Sequence, residues 1–125
     1  NSLLLIGDLS FFHDSNGLLA SKHGINLTIV VINNGGGGIF SFLPIADINK
    51  NKFKNFWITD TGLDVKNIAK LYNCKYERVV KIADLKKSIK SSFNDKGVKI
   101  IEIKTIISEN VQSHNSLLNN IYKKL

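Results

Sequence analysis

Two polar clusters interrupt apolar runs in the first third of the chain: "GDLS" at 7–10 and "NNGGGG" at 33–38. Asp8 offers a hard anionic oxygen and Asn34 a neutral amide oxygen. The peptide carbonyl of a residue just past Asn34 would add another. Three protein oxygens, with the other positions left to phosphate oxygens and water, is how Mg²⁺ is commonly held. Successive backbone N–H groups of a glycine-rich loop form a nest that suits phosphate. A helical turn opening near Gly38 would add its N-terminal dipole. Ser10 could cap a following helix or donate to a phosphate oxygen. The chemistry these residues suit is a Mg²⁺-diphosphate site divided between two segments.

Other phosphate motifs are excluded. A Walker-type loop needs Gly-Lys-Ser/Thr at its end, and "GDLSFF" lacks the glycines of a dinucleotide fingerprint. The glycines alone would fit any tight turn. His13, next to Asp14, reads as a histidine packing or capping at a helix start. His23 and His114 read as surface residues, and no metal-ligand spacing links the three. Asn33 reads as structural, bonding local backbone. Cys74 is the only cysteine, so no disulfide framework forms within the chain and a reducing compartment is expected. It reads as a small, half-buried hydrophobe.

The elements that would carry these clusters alternate in type. "SLLLI" (2–6) has the continuous apolar character of a buried strand, and "LTIVVI" (27–32) is the clearest strand. "YERVV" (76–80) and "VKIIEIKT" (98–105) are the remaining two. Helical patterns run from about Phe12 to Lys22, capped by Gly24, and from Asp64 with Val65, Ile68, Ala69 and Leu71 inward. Two more run from Asp84 with Leu85, Ile89 and Phe93, and from Ser108 to Leu125 with Val111, Leu117, Leu118 and Ile121 inward. "IFSFLP" allows one helical turn before Pro44. Residues 45–63 read as irregular around an aromatic knot of Phe53, Phe56 and Trp57. The alternation predicts an α/β, doubly wound, mostly parallel sheet with helices on both faces. Ligands of such sheets bind beyond the carboxyl ends of the strands, where both polar clusters fall.

Composition narrows the class. A chain of 125 residues is enough for one domain. No apolar run reaches the length of a membrane span, and the start lacks the basic region of a signal peptide. The chain lacks methionine, which suggests a piece of a longer polypeptide. Its net charge of +7 is almost all lysine, with Arg78 the single arginine. Scattered lysines, with abundant asparagine and isoleucine, fit a coding bias toward A and T. A nucleic-acid surface would favour arginine interleaved with aromatics, so a basic nucleic-acid-binding domain is the alternative of another class.

Gly-Asp, then roughly two dozen residues, then Asn-Asn, resembles the signature of thiamine-diphosphate-dependent enzymes. The resemblance implies that Asp8, Asn34 and the Gly36 carbonyl hold Mg²⁺ (or Mn²⁺). Leu9 stands where that signature usually has glycine. "GDLSFFHDSNGL" with "NNGGGGIFSFLP" is similar to one branch that characteristically has leucine there. This is the MenD branch, the 2-succinyl-5-enolpyruvyl-6-hydroxy-3-cyclohexene-1-carboxylate synthases. "FWITDTGLDVKNIAKLY" (56–72) resembles a further block of that branch, with Asp60 where proline is common, and "SENVQSHNSL" resembles its ending. The whole chain, 1–125, then corresponds to a C-terminal diphosphate-binding domain that lacks its first elements.

That resemblance implies cofactor contacts at Asp8, Leu9, Ser10, Asn34, Gly36, Gly37, Gly38 and Ile39. It also implies a pocket wall of Ile39, Phe40 and Leu43, which on pattern alone would be core residues. It implies a transferase that decarboxylates 2-oxoglutarate on thiamine diphosphate and adds the product to isochorismate, toward menaquinone or phylloquinone. An acetolactate synthase or decarboxylase acting on pyruvate is the alternative within the family. The activating glutamate is expected on a pyrimidine-binding domain of the same or a second subunit, so no catalytic residue is expected in this chain. A homodimer or homotetramer in the cytoplasm or plastid stroma is the implied setting, with no nucleic acid partner.

Overall fold

The computed structural model describes residues 2–124. In chain order the regular elements are β1 (Ser2–Gly7), α1 (Asp8–His13), β2 (Leu27–Asn33), α2 (Lys50–Phe53), α3 (Val65–Leu71), β3 (Lys75–Val79), α4 (Ile82–Ser92), β4 (Val98–Lys104) and α5 (Ile107–Tyr122). They sort into two units: residues 2–33 with 62–104, and residues 34–61 with 105–124.

The first unit holds a four-stranded sheet in the order β1-β2-β4-β3, every pair parallel. Successive residues of a strand face opposite sides, and the two sides have separate cores. Ile29, Val31 and Ile100 pack with Phe11, Leu18, Val65 and Ala69 on one side. Val30, Ile101 and Val79 meet Leu85 and Ile89 of α4 on the other. The doubly wound sheet expected from the alternation is therefore present. Thr28 and Ser92 share a buried hydrogen bond of 2.8 Å that ties α4 to β2. β1 is an edge strand, and its Leu3, Leu4 and Leu5 are exposed.

Several expectations need correction. The first helix starts at Asp8 rather than near Phe12, because an anionic side chain in the first turn favours the start. Ser10 thus lies inside α1 and is not its cap. Asp14 then divides the helical stretch, and Ser15–His23 continues as 3₁₀ helix up to Gly24 in the left-handed conformation. Asp64 caps α3 as expected, accepting from the Lys66 N–H at 2.7 Å. The buried stripe of α3 is Val65, Ile68, Ala69 and Tyr72. Leu71 falls off that stripe and is exposed. Phe93 ends α4 as its C-cap and is likewise exposed.

The second unit is built around the glycine loop. The 3₁₀ turn Gly38–Phe42 follows it, and the Phe42 ring meets His114 of α5 edge-on at 5.4 Å. That turn covers only the first half of α5. Leu117, Leu118 and Ile121, expected inward, are exposed. Residues 45–63 are less irregular than expected: Asn49 caps α2, accepting from Lys52 N–H at 3.0 Å, and a π-helical turn spans Lys54–Ile58. The aromatic knot is real, with Trp57 stacked on Phe53 and edge-on to Phe56, each at 6.3 Å.

Candidate functional site

In the first unit, the register pairs Gly7 with Ile32 at the carboxyl ends of β1 and β2. Asp8 and Asn33 each follow that pair by one residue. Asp8 is buried at 5% exposure in the first turn of α1, while Leu9 is half-buried and Ser10 exposed.

Asn33 reaches across the sheet. Its Nδ2 donates at 2.7 Å to Oε1 of Glu102, 69 residues away in sequence. The other carboxylate oxygen of Glu102 accepts from the Tyr76 hydroxyl and from Arg78 Nε, the latter at 3.1 Å. Glu102 is 1% exposed, so its charge is held by these donors. Burial pushes its carboxyl up, but the hydrogen bonds from Tyr76, Asn33 and Arg78 outweigh that and hold it below the ordinary carboxylate range. Burial, with the neighbouring Glu102, pushes the Tyr76 phenol up to about 12. Neither Glu102 nor Arg78 falls within the motifs of the sequence. A charged residue inside the apolar run "VKIIEI" was the available signal, because a buried parallel strand tolerates a charge only when it is paired.

In the second unit, Asn34 Oδ1 accepts from the Gly36 N–H at 3.2 Å, and the Gly36 carbonyl accepts from the Gly38 N–H at 2.9 Å. Gly35 and Gly36 have φ of +79° and +134°, a region that favours glycine. The glycines also answer to the chain itself. A Cβ on Gly36 would meet the Ile58 carbonyl, and one on Gly37 would lie 2.6 Å from the Trp57 carbonyl. On Gly38 it would lie 2.6 Å from Asn34 Nδ2.

Beside the loop lies an open cavity of 670 Å³, lined by residues including Asn34, Gly35, Ser41, Phe53, Ile58 and Ile107. Ile39, Phe40 and Leu43, the residues expected to wall a pocket, lie in and just after the turn Gly38–Phe42. Ile39 is 73% exposed and Leu43 is exposed. Phe40 is half-buried, its ring 3.2 Å from the Cβ position of Gly37.

Asp8 in the first unit offers a carboxylate, while Asn34 and Gly36 in the second offer an amide and a peptide oxygen, each a hard oxygen of the kind Mg²⁺ prefers. Asn34 Oδ1 is turned back over the loop by its bond to Gly36, so two of these oxygens belong to one short backbone segment. Among the described residues, no group of three or more His, Cys, Asp or Glu could hold a metal. Nor is any helix among them long and apolar enough to cross a membrane.

Residues 1–103 match the family described as thiamine pyrophosphate enzyme, C-terminal TPP binding domain. The chain belongs to that family. The cofactor of that family is the one expected from the sequence, thiamine diphosphate. It is 45% identical over 92% of its length to a 2-succinyl-5-enolpyruvyl-6-hydroxy-3-cyclohexene-1-carboxylate synthase of Bacillus cytotoxicus. It is 48% identical over 91% of its length to the synthase of the same name from Listeria monocytogenes serotype 4b. The chain spans about 20% of the length of each of these relatives.

Among solved structures it resembles the thiamine diphosphate-dependent 4-hydroxybenzoylformate decarboxylase of Rhodococcus jostii RHA1. That match has a TM-score of 0.68 and 25% identity, over 83% of this chain and 19% of that one. Benzoylformate decarboxylase from Polynucleobacter necessarius shares the fold, with a TM-score of 0.69 and 23% identity over 84% of this chain and 19% of that one.

Proposed function

We propose that this chain is the diphosphate- and metal-holding domain of a MenD-type synthase. The whole enzyme would decarboxylate 2-oxoglutarate and add the succinyl carbanion equivalent to isochorismate. The observation that carries the reading is the pair "GDLS" and "NNGGGG", in a family member 45–48% identical to proteins named for this synthase.

In this reading Asp8, Asn34 and the Gly36 carbonyl hold Mg²⁺. Leu9, Ser10, Gly37, Gly38 and Ile39 lie along the diphosphate, with backbone N–H groups of the loop as donors. Ile39, Phe40 and Leu43 exclude water beside the reacting carbons, and a low-dielectric wall favours neutral over charged species. When bound, thiamine diphosphate supplies the electron sink that makes the decarboxylation feasible. The chain's own residues anchor and shield, and the group that activates the cofactor belongs to a pyrimidine-binding domain of the same or a second subunit. An additional strand from the rest of the polypeptide would lie against β1, whose leucines are exposed at the sheet edge. Arg78 is engaged by Glu102, which further weakens the case for a nucleic-acid surface.

The test is titration of Mg²⁺ and thiamine diphosphate against the full-length polypeptide and its Asp8→Ala variant. Cofactor binding that survives the substitution unchanged overturns the reading. Product analysis with 2-oxoglutarate, with and without isochorismate, separates this branch from enzymes acting on pyruvate.

A further inference from the structure

We infer that Glu102 is a positioning residue for the metal-holding loop: its carboxylate fixes the Asn33 side chain, and through the next peptide bond the departure of Asn34. The inference rests on the reading of Asn34 as a metal ligand.

Ile29, Val31 and Asn33 share one face of β2, as Ile100 and Glu102 do on β4 and Tyr76 and Arg78 on β3. The register sets Glu102 beside Val31 on one side and Arg78 on the other. That face is therefore an apolar core that turns polar at the carboxyl ends of three neighbouring strands. Stability alone does not account for the charge, because a buried ion pair is often matched by well-packed apolar residues. What the carboxylate adds is direction. Tyr76 and Arg78 hold one oxygen, which leaves the other aimed at the Asn33 amide. Asn33 is the last residue of β2, where strands fray, and a charge-assisted bond of 2.7 Å pins it from the middle of the sheet. A group bonded to a metal ligand itself typically governs affinity by about 10–100-fold, and Glu102 acts one residue behind the ligand, through Asn33.

The experiment measures Mg²⁺ affinity in the presence of thiamine diphosphate by calorimetry, together with melting temperature, on the full-length polypeptide. Glu102→Gln and Asn33→Ala are each expected to weaken Mg²⁺ binding about 10-fold, the lower end of that range. The double variant is expected to be no weaker than the worse single one, since both break the same link. Ser92→Ala, which breaks the buried bond to Thr28 on the other face of the sheet, lowers the melting temperature while Mg²⁺ affinity stays within twofold. Asn33→Ala removes a half-buried side chain at a strand end, so it reports even if Glu102→Gln fails to fold. Single variants with unchanged Mg²⁺ affinity, beside an Asp8→Ala variant that has lost it, overturn the inference and leave the proposed function standing. Additive losses in the double variant overturn it as well. An Asp8→Ala variant that binds as wild type overturns the functional reading itself.

Discussion

The Gly37 N–H donates to the Ile58 carbonyl at 2.6 Å, so the four-glycine loop lies against a second stretch of backbone. Its side-chain-free surface is shaped by residues 57 and 58 of the same chain. Any ligand of the loop therefore meets a backbone already braced from behind.

Substitutions along the loop should rank by that bracing. Gly36→Ala combines φ of +134° with a collision against the Ile58 carbonyl, whereas Gly35→Ala meets open space at φ +79°. Gly35→Ala should cost about 1–2 kcal/mol, and Gly36→Ala clearly more. Thermal melts and Trp57 fluorescence check the order, since only Gly36→Ala should displace the Trp57–Ile58 segment.

Acid should weaken the first unit through Glu102. Its folded-state carboxyl titrates below the unfolded one, so the unfolded chain binds the proton first as pH falls. The stabilisation is present above the unfolded value of about 4.3 and is lost as pH falls through the folded one. Urea unfolding between neutral and acid pH should show a shallower acid limb in Glu102→Gln than in wild type.

The Tyr76 phenol works in the opposite sense. It is pushed up to about 12, so its contribution is full below the unfolded value of about 10 and declines as pH rises toward the folded one. Absorbance titration near 295 nm should find late tyrosine ionisation that disappears in Tyr76→Phe.

Thr28 and Ser92 form a buried pair between β2 and α4. Ser92→Ala leaves the Thr28 hydroxyl short of its partner and should cost about 1–3 kcal/mol. Adding Thr28→Val to it should recover part of that loss, because removing both partners avoids a stranded hydroxyl. A double-mutant cycle in denaturant gives the coupling.

Burial, not hydrophobicity, should decide core substitutions. Ile100→Ala, at a fully buried position, should cost about 2–5 kcal/mol. Leu71→Ala, at a position 69% exposed, should stay within about 0.5 kcal/mol of wild type.

Strand β2 and the cap at Asp64 were readable because β-branched runs and Asx caps act locally. The two polar clusters were readable because they follow strands. The brace at Trp57–Ile58 was not, since nothing in "GGGG" names what its backbone will touch. Glu102 lies outside every motif, and its three donors come from β2 and β3, far away in the sequence. The exposed stripe of α5 and Leu71 misled for a shared reason: helical periodicity marks a face and does not say whether anything covers it.

Strand β1 carries no charged residue between Ser2 and Gly7, and the chain's positive charge sits elsewhere. An uncharged apolar edge is a template for pairing with a second copy. Expressed by itself, this chain should self-associate through Leu3 and Leu5 in a way that rises with concentration and resists salt. A lysine at either position should make it tractable as a monomer without touching Asp8 or the glycine loop.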